Sequence, residues 1–412
     1  MSRDFDVIVV GAGVVGAATA ARLAVAGLCA PGRVALLTDA PPPAAADDWD
    51  LRVYALSRAS ERLLRFARAW DALPPQRKEP YERMCVWDAS GTAGGRGSLT
   101  FDCADIGEAN LGVIVDGRAL QIACLAAARD AGVLVMEATL TGVESGAGEI
   151  RVRLGQGREL GAGLLVGADG TDSTVRALLG IGTAGHAYLQ DAVVAHVTTS
   201  RPHENTAWQR FLPGGPLAFL PLPDGRSSIV WSVARTEAAR LRALDHQGFA
   251  DELTAASGEA LGRCVPTTPL ASFPLKLQYA LDYARPRAVL VGDAAHVVHP
   301  LAGQGLNLGL MDCAALIETL RDAPGPGAFG DRRVLRRYER WRRSENLFAA
   351  AALDGFERLF SSTSFALSRL RTGGLEAVGR LPALKRAIAM RALGLEGDVP
   401  AFLTGGLPSP RR

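Results

Sequence analysis

The fold is decided by the stretch Asp6-Val7-Ile8-Val9-Val10-Gly11-Ala12-Gly13-Val14-Val15-Gly16, in which an apolar run leads directly into three glycines. Such a continuous β-branched run is typical of a strand that is buried on both faces of a parallel sheet. The Ala- and Leu-rich residues 17–26 predict a helix after it, and residues 34–37 predict a second strand. Together these three segments predict a βαβ unit.

The glycine spacing of this unit indicates a function for its first turn. Gly11 would allow a tight turn, Gly13 would let a pyrophosphate approach the backbone, and Gly16 would let the helix pack closely on the strand. We therefore predict dinucleotide binding at the N-terminus of the helix. An ordinary strand-to-helix turn is the alternative. The acidic residue that binds the ribose should end the second strand, where Thr38 precedes Asp39, and we choose Asp39.

Composition and charge narrow the class of protein. The chain has 412 residues, of which 48% are hydrophobic, which is enough for a sizeable core. The 45 Lys and Arg against 43 Asp and Glu leave a formal charge of +2, too balanced for a nucleic-acid-binding domain. We therefore expect no nucleic acid among its partners.

The same sequence bears on the compartment and on metals. No run of about 18 apolar residues predicts a membrane-spanning helix, and Asp4 and Asp6 are unlike the basic start of a secretory signal. The six cysteines are scattered, with no Cys-x-x-Cys pair, so we expect reduced, buried thiols and no metal site. These features predict a cytoplasmic protein.

Two later segments place acidic residues between a strand and a helix. Residues 164–170 form an apolar run that ends in Asp169-Gly170. Residues 288–291 lead into Gly292-Asp293, and a Gly-rich loop then precedes a helix that runs through Asp312. Taken alone, each is a strand, a turn and a helix start. Such turns nonetheless offer an acceptor for a polyol chain and backbone N–H groups for an anion.

With the glycine turn, these segments resemble the FAD-dependent aromatic hydroxylases typified by para-hydroxybenzoate hydroxylase. The resemblance implies that Gly11, Gly13 and Gly16 bind the ADP part of FAD. It further implies that Asp169 and Gly170 lie near the pyrophosphate and are linked with NAD(P)H use, and that Gly292 and Asp293 hold the ribitol. The single complete glycine motif fits a family that binds FAD tightly and NAD(P)H transiently.

The resemblance narrows within this family to the ubiquinone-biosynthesis hydroxylases. Its strongest signature is His299-Pro300-Leu301-Ala302-Gly303-Gln304-Gly305-Leu306-Asn307-Leu308-Gly309-Leu310-Met311-Asp312. Four further stretches agree with it, at residues 50–57, at 115–121, at 209–211 with 215–222, and at 337–340. Residues 381–395 are similar to the tail of members that hydroxylate a polyprenylated phenol early in the pathway.

The resemblance implies a Rossmann-like α/β fold with interleaved parts. We predict a discontinuous FAD-binding domain at 1–75, 110–185 and 285–330, an antiparallel β-sheet substrate domain at 76–109 and 186–284, and C-terminal helices at 331–412. Alternation of apolar and polar residues between 191 and 277 predicts that sheet. It also suggests an apolar pocket for an isoprenoid tail, formed by Phe211, Phe219, Leu220, Leu222 and Trp231.

The implied reaction uses NAD(P)H, O₂ and a flavin C4a-hydroperoxide that passes a hydroxyl group to an electron-rich phenol ring. Backbone N–H groups of Gly303, Gln304 and Gly305 would stabilise negative charge on the flavin. Pro300 would face the ring system of the flavin. Asn307, in the helix that follows, is also predicted to bind the cofactor. Further residues predicted to contact FAD are Arg52 and Arg118. His299 and His296 are candidates for proton transfer, with a structural role as the alternative.

The C-terminal region carries many arginines. For residues 332–343 we expect a solvated helix face. Residues 361–395 interleave basic and apolar side chains, a pattern typical of helices that lie on anionic lipid. We therefore expect peripheral association with the inner membrane, an ordinary packed helix being the alternative.

Four functions remain open from the sequence. The first is ring hydroxylation of a polyprenylated phenol. With this function, other proteins of ubiquinone biosynthesis are candidate partners. Two rivals share the fold: hydroxylation of a soluble aromatic, which needs an Arg or Tyr cluster for a carboxylate, and reduction of an isoprenoid double bond, which consumes no O₂. A non-catalytic FAD-binding scaffold is the fourth.

Overall fold

The computed structural model describes residues 3–41, 43–298, 303–361, 374 and 377–404. Its strands are β1 Phe5–Val10, β2 Val34–Thr38, β3 Val53–Leu56, β4 Lys78–Tyr81, β5 Arg83–Asp88, β6 Ser98–Asp102, β7 Gly112–Asp116, β8 Leu134–Glu137, β9 Leu140–Ser145, β10 Ile150–Leu154, β11 Glu159–Gly167, β12 Thr183–Thr199, β13 Thr206–Leu212, β14 Gly215–Pro221, β15 Ser227–Ala234, β16 Cys264–Pro266, β17 Ala271–Ala280, β18 Ala284–Arg285, β19 Ala288–Leu290 and β20 His296–Val297. Its α-helices are α1 Val14–Val25, α2 Arg58–Phe66, α3 Gly117–Asp130, α4 Thr174–Leu178, α5 Arg235–Ala243, α6 His246–Ser257, α7 Gln304–Arg321, α8 Arg332–Ser361 and α9 Pro382–Ala392.

A sheet with a parallel centre contains the predicted βαβ unit. Strand β1 pairs in parallel with β2 on one side and β11 on the other, and β19 pairs in parallel with β11. The side chains of β1 are almost entirely buried, because helices cover both faces of the sheet. The predicted α/β fold is confirmed, although α1 begins at Val14, three residues before the predicted helix.

A second sheet of nine strands lies beside the first. Its main path is β20-β17-β12-β15-β14-β13-β5-β6, and β16 pairs with β12. The pairs are antiparallel except β13 with β5, which is parallel. This exception differs from the predicted antiparallel sheet, because β5 and β13 come from distant segments and no hairpin joins them. The proposed division into FAD-binding and substrate domains remains a prediction.

Helix α8 differs from the predicted solvated helix. Leu335, Tyr338, Trp341 and Arg342 are buried along one face, where α8 packs against α7. The Tyr338 hydroxyl donates to the carbonyl of Leu290 at 2.8 Å. Only the opposite face of α8 is therefore left for solvent, because the apolar side chains recur at helical spacing.

The structure also bears on membrane-spanning helices and on the cysteines. Within the described ranges, no helix is both long enough and apolar enough to cross a bilayer.

All six cysteines are free thiols, and five of them are buried, Cys103 being half-buried. Burial raises the pKa of Cys29 to about 12. The Cys29 thiol therefore stays protonated at neutral pH, as expected for an inert core residue.

Candidate active site

A cavity of about 1750 Å³ runs between the two large sheets. One end lies at the carboxyl edge of β1, β2 and β11, where the glycine turn, Asp39 and Asp169 line it. The other end is lined by α8, α9 and the nine-stranded sheet. Its position outside the carboxyl ends of parallel strands is the usual ligand site of such sheets.

The glycine turn after β1 has no room for side chains at two of its three glycines. A Cβ on Gly11 would lie 2.3 Å from the carbonyl oxygen of Ala168, and one on Gly16 would lie 1.9 Å from that of Gly11. At Gly13 nothing lies within 4 Å, and this residue faces the cavity. The turn therefore packs tightly against β11 and presents open backbone to a ligand.

Two helix N-termini face the cavity without a side-chain cap. Gly13 is the N-cap of α1 and Gly303, in the left-handed conformation at φ 63°, is the N-cap of α7. A Cβ on Gly305, in the first turn of α7, would meet nothing within 4 Å, and this residue lines the cavity together with Gln304. The N–H groups of these first turns can therefore donate to an anion.

Asp293 presents its carboxylate to the cavity. Burial raises its pKa, and the positive charges of His296 and Arg52 act in the opposite direction. Its carboxylate oxygens accept no hydrogen bond within the described part of the chain and open into the cavity. Gly292, at φ 61°, lies behind it against Val15. Asp293 is thus available to hydroxyl groups of a ligand.

Arg52 also lines the cavity, and the structure gives it a partner across the two sheets. Its guanidinium lies 5.5 Å from the ring centre of Phe273 on β17. Phe273 is exposed to the same cavity. The pair therefore joins the residue just before β3 of the small three-stranded sheet to the nine-stranded sheet through a cation–π contact.

The end of β2 distinguishes the two candidate ribose ligands. The Thr38 hydroxyl donates to the carbonyl of Ala40 at 2.7 Å, so it serves its own turn. Asp39 is exposed at the cavity wall.

Across the cavity, Gln121 donates to the Ala12 carbonyl at 2.8 Å and lines the wall. Gln121 was within a stretch that carried the resemblance but was not predicted as a site residue.

Asp169 has a structural task as well as a place in the cavity. Its carboxylate accepts from the hydroxyl of Ser173 at 2.5 Å and from the N–H of Val175 at 2.9 Å. It therefore fixes the turn that begins α4, while the adjacent Gly170, at φ 80°, presents backbone to the cavity.

Two groups of predicted residues are not placed at the cavity. Arg118 lies outside it, 3.6 Å from Asp50, and lines a separate hollow of about 260 Å³ with Asp48 and Arg77. The sequence pattern did not show that Arg118 points to the outer side of α3. His299 and Pro300 lie outside the described residues.

Asn307 joins three elements at the edge of the cavity. Its side-chain oxygen accepts from the N–H of Ser57 at 2.9 Å and from the hydroxyl of Ser60 at 2.7 Å. Its amide nitrogen donates to the carbonyls of Ala55 and Gly303. All four contacts of this buried amide are within the protein, so its role is to hold β3 and α2 against the start of α7.

His296 belongs to a buried charged cluster behind the cavity. Its Nε2 lies 2.6 Å from Oδ2 of Asp312, which also accepts from the N–H of Gly292 at 3.0 Å. The other oxygen of Asp312 accepts from Arg342 at 2.8 Å and from Asn346 at 2.9 Å. These contacts support the structural alternative for His296.

The nine-stranded sheet presents alternate residues to the cavity, as the pleat requires. The facing side chains are Met84, Val86, Leu99, Phe101, Ala192, Val194, Ala207, Gln209, Phe211, Pro216, Ala218, Leu220, Val230, Ser232, Phe273 and Leu275. Of the predicted pocket residues, Phe211 and Leu220 lie on this face. Among these sixteen side chains none is charged.

Three predicted pocket residues lie elsewhere. Phe219 and Trp231 have the opposite parity on their strands and pack in a core under α5 and α6. Leu222 lies beyond the end of β14 and packs against Trp49 and Ile114. They were chosen for size and apolar character, whereas the face of the strand decides which side chain reaches the cavity.

These features fit FAD. At the carboxyl edge of β1, β2 and β11 the cavity has a glycine turn in which a Cβ on Gly11 or Gly16 would clash with backbone. Two helix N-termini without side-chain caps also face the cavity. Asp293 and Asp39 offer carboxylates to polyol and ribose hydroxyls. The residues that would hold FAD are Gly11, Gly13, Asp39, Arg52, Gly170, Asp293, Gly303, Gln304 and Gly305, with Gln121 added from the structure.

Comparisons with known proteins show the family of the chain. A family model for the FAD binding domain matches residues 125–347. The 3-demethoxyubiquinol 3-hydroxylase of Escherichia coli is 36% identical over 401 residues, covering 96% of this chain and 100% of that protein. The ubiquinone hydroxylase UbiL of Rhodospirillum rubrum is also 36% identical, covering 98% of this chain and 93% of that protein.

A solved structure is similar in fold. The p-nitrophenol 4-monooxygenase PnpA of Pseudomonas putida DLL-E4 superposes with a TM-score of 0.75, covering 95% of this chain and 99% of that one. Its sequence identity is 18%, so this likeness concerns the fold alone.

Proposed function

Since the chain belongs to the FAD-dependent hydroxylases of ubiquinone biosynthesis, we propose that it hydroxylates the aromatic ring of a polyprenylated phenol or quinol. It is an FAD-dependent aromatic monooxygenase, as the sequence predicted. NAD(P)H and O₂ are the co-substrates typical of this family, and the proposal uses NAD(P)H as the electron donor.

The observation that carries the proposal is the uncharged sheet wall of the cavity. A soluble hydroxybenzoate would need a cation or a cluster of hydroxyl groups to neutralise its carboxylate. The sixteen side chains on this wall are apolar except Gln209 and Ser232. Such a wall favours a ring that carries a long hydrocarbon tail.

The cavity also has a path for that tail. From the sheet wall it continues to α8 and α9, where Phe348, Ala352, Ile388 and Ala392 line it beside the charged side chains of Arg342, Glu345 and Arg391. Apolar residues at this end make burial of each CH₂ favourable by about 0.8 kcal/mol. The tail would therefore leave the cavity between these two helices while the ring stays near α7.

When bound, FAD would supply the redox chemistry that activates O₂. The protein would hold the cofactor on the glycine turn and on Asp293, with negative charge on the flavin facing the N–H groups of Gln304 and Gly305. The apolar wall would exclude water from the ring. Proton transfer by His299 remains a prediction.

Two ring positions are supported by different observations. The likeness of residues 381–395 to early-acting members favours an early ring position, as in the hydroxylation of a 2-polyprenylphenol. The Escherichia coli relative, named for a 3-demethoxyubiquinol substrate, favours a later position. We propose the early position, with the later one as the second candidate.

The proposed function is tested by expressing the chain in a bacterial strain that lacks its own ring hydroxylase. We expect oxygen-dependent loss of an under-hydroxylated polyprenylphenol and restored ubiquinone by LC-MS. The accumulated intermediate identifies the position. Loss of a demethoxyquinol instead would support the later position, and unchanged intermediates with FAD-loaded protein would contradict both.

We also propose that α9 docks on an anionic membrane surface beside the exit of the tail. Leu381, Leu384 and Ile388 are 54%, 44% and 40% exposed, respectively, although they are apolar. Lys385 and Arg386 lie between them along the helix. An apolar face flanked by cations is typical of helices that bind anionic lipid.

Vesicle flotation tests this docking. With the Leu381→Glu/Leu384→Glu variant we expect loss of binding to vesicles of phosphatidylglycerol and phosphatidylethanolamine. Leu189→Glu is the matched control, since Leu189 is apolar and 81% exposed but lies on β12. Equal binding of the α9 variant and the control would contradict the proposal.

A further inference from the structure

One polar side chain in the sheet wall has no partner within the described part of the chain. Gln209, on β13, is only 5% exposed, and it lines the cavity. Its amide makes no hydrogen bond to any described residue. An amide that opens into a cavity and has no protein partner is available to a ligand group that completes it.

The register of the sheet places Gln209 between two rows of side chains. Leu220 and Ala207 form the row on one side, and Leu220 packs against the same buried cluster as Val53 and Ala55 of β3. Ala55 is the residue that Gly303 approaches at the start of α7. This proximal row therefore lies toward the flavin-facing helix N-terminus.

The row on the other side of Gln209 lies toward the tail end of the cavity. It contains Phe211 and Pro216, and Val378, which lies shortly before α9, packs against the cluster that Phe211 forms with Val86 and Leu99. Alternate residues of a strand are about 7 Å apart, which is close to the width of a substituted phenol ring. A ring over the proximal row would place a substituent at Gln209 and its tail over the distal row.

We propose that Gln209 binds an oxygen substituent of the substrate ring and so selects which ring carbon faces the flavin. A carboxamide suits this task because it can donate to a carbonyl or ether oxygen and accept from a phenolic hydroxyl. The inference rests on the proposed function and names the residue that recognises the ring. Buried hydrogen-bonding sites reject analogues that lack the partner group, because the protein group is then left unpaired.

Binding to the FAD-loaded enzyme tests this role. The probes are 2-farnesylphenol and farnesylbenzene, which lacks the hydroxyl group, and the readout is quenching of flavin fluorescence. We expect the wild type to bind the phenol about tenfold more tightly, from one net hydrogen bond. In Gln209→Leu the two probes should bind equally, with farnesylbenzene bound at least as tightly as in the wild type.

A second readout follows turnover. In Gln209→Leu we expect less hydroxylated product per NAD(P)H oxidised and a mixture of ring positions, because the ring is no longer fixed. Ser232→Ala is the matched control, since Ser232 is the other polar side chain of the wall and lies in the distal row. It should keep the wild-type preference for the phenol.

The outcomes separate the two proposals. If the wild type prefers the phenol and Gln209→Leu keeps the same preference and a single product, the inference is wrong while the proposed function stands. If the wild type neither binds nor hydroxylates 2-farnesylphenol, the proposed early position fails and the inference fails with it. Loss of preference in Gln209→Leu alone supports both.

Discussion

His296 Nε2 lies 2.6 Å from Oδ2 of Asp312, and both side chains are buried behind the cavity. The same oxygen accepts from the N–H of Gly292, next to Asp293. The carboxylate therefore connects α7 to the turn that presents Asp293. Arg342 joins it from α8 at 2.8 Å. Groups from three segments thus depend on one buried negative charge, which makes Asp312 the structural centre of this end of the site.

Replacing Asp312 with Asn should destabilise the fold strongly. The amide would leave the buried Arg342 without a counter-charge, and breaking a buried ion pair typically costs about 3–5 kcal/mol. The free energy of unfolding is measured by denaturant titration. Asp322→Asn is the matched control at the end of the same helix, where the partly exposed pair with Arg337 should contribute less than about 1 kcal/mol. Equal losses in the two variants would contradict this prediction.

The contribution of Asp312 should also depend on pH. Burial by itself raises the pKa of Asp312, but His296 and Arg342 outweigh burial and lower the pKa to about 2. An unfolded Asp titrates near about 3.9, so the stabilisation is complete above that pH and is lost as the pH falls toward 2. The stability difference between wild type and Asp312→Asn should therefore shrink between about pH 5 and pH 2. A difference that stays constant over this range would refute the assignment.

The glycines of the first turn should separate folding from cofactor binding. Gly16→Ala brings a Cβ to 1.9 Å from the carbonyl oxygen of Gly11, so this variant should lose stability or fail to fold. Gly13→Ala meets no protein atom within 4 Å and has φ −67°, so its apo form should stay within about 1 kcal/mol of wild type. Its Cβ enters the cavity, and FAD affinity should fall by about tenfold or more. Unchanged FAD affinity in Gly13→Ala would place the cofactor elsewhere.

Local patterns were enough to predict the glycine turn and its strands. The βαβ unit depends on residues within about 35 positions, and Gly11 and Gly16 have the tight packing that their spacing predicted. The segments around Asp169 and Asp293 also meet at one cavity, because carboxyl ends of parallel strands share an edge. Short-range periodicity carries this information.

Long-range contacts could not be predicted in the same way. Arg342 lies 30 positions from Asp312, and nothing local shows that an arginine in a basic stretch is buried against it. Side chains of a strand alternate between two faces, and tertiary packing decides which face lines the cavity. Large apolar residues such as Phe219 and Trp231 were therefore assigned to the wrong face. The partner of a side chain is decided by tertiary packing, which one sequence does not contain.

Two phenylalanines on opposite faces of the nine-stranded sheet should respond differently to truncation. Phe219→Ala removes a ring that is 1% exposed in the core under α5 and α6, which should cost about 3–5 kcal/mol of stability with little direct effect on substrate. Phe211→Ala removes a ring that is 4% exposed in the cavity wall and clusters with Val86 and Leu99, so it should also cost about 3 kcal/mol, with a direct effect on substrate in addition. Because Phe211 lies toward the tail end, KM should rise more for a long-tailed phenol than for a short-tailed one. Thermal unfolding and KM for farnesyl- and methyl-substituted phenols measure both effects, and equal KM changes for the two substrates would remove Phe211 from the path of the tail.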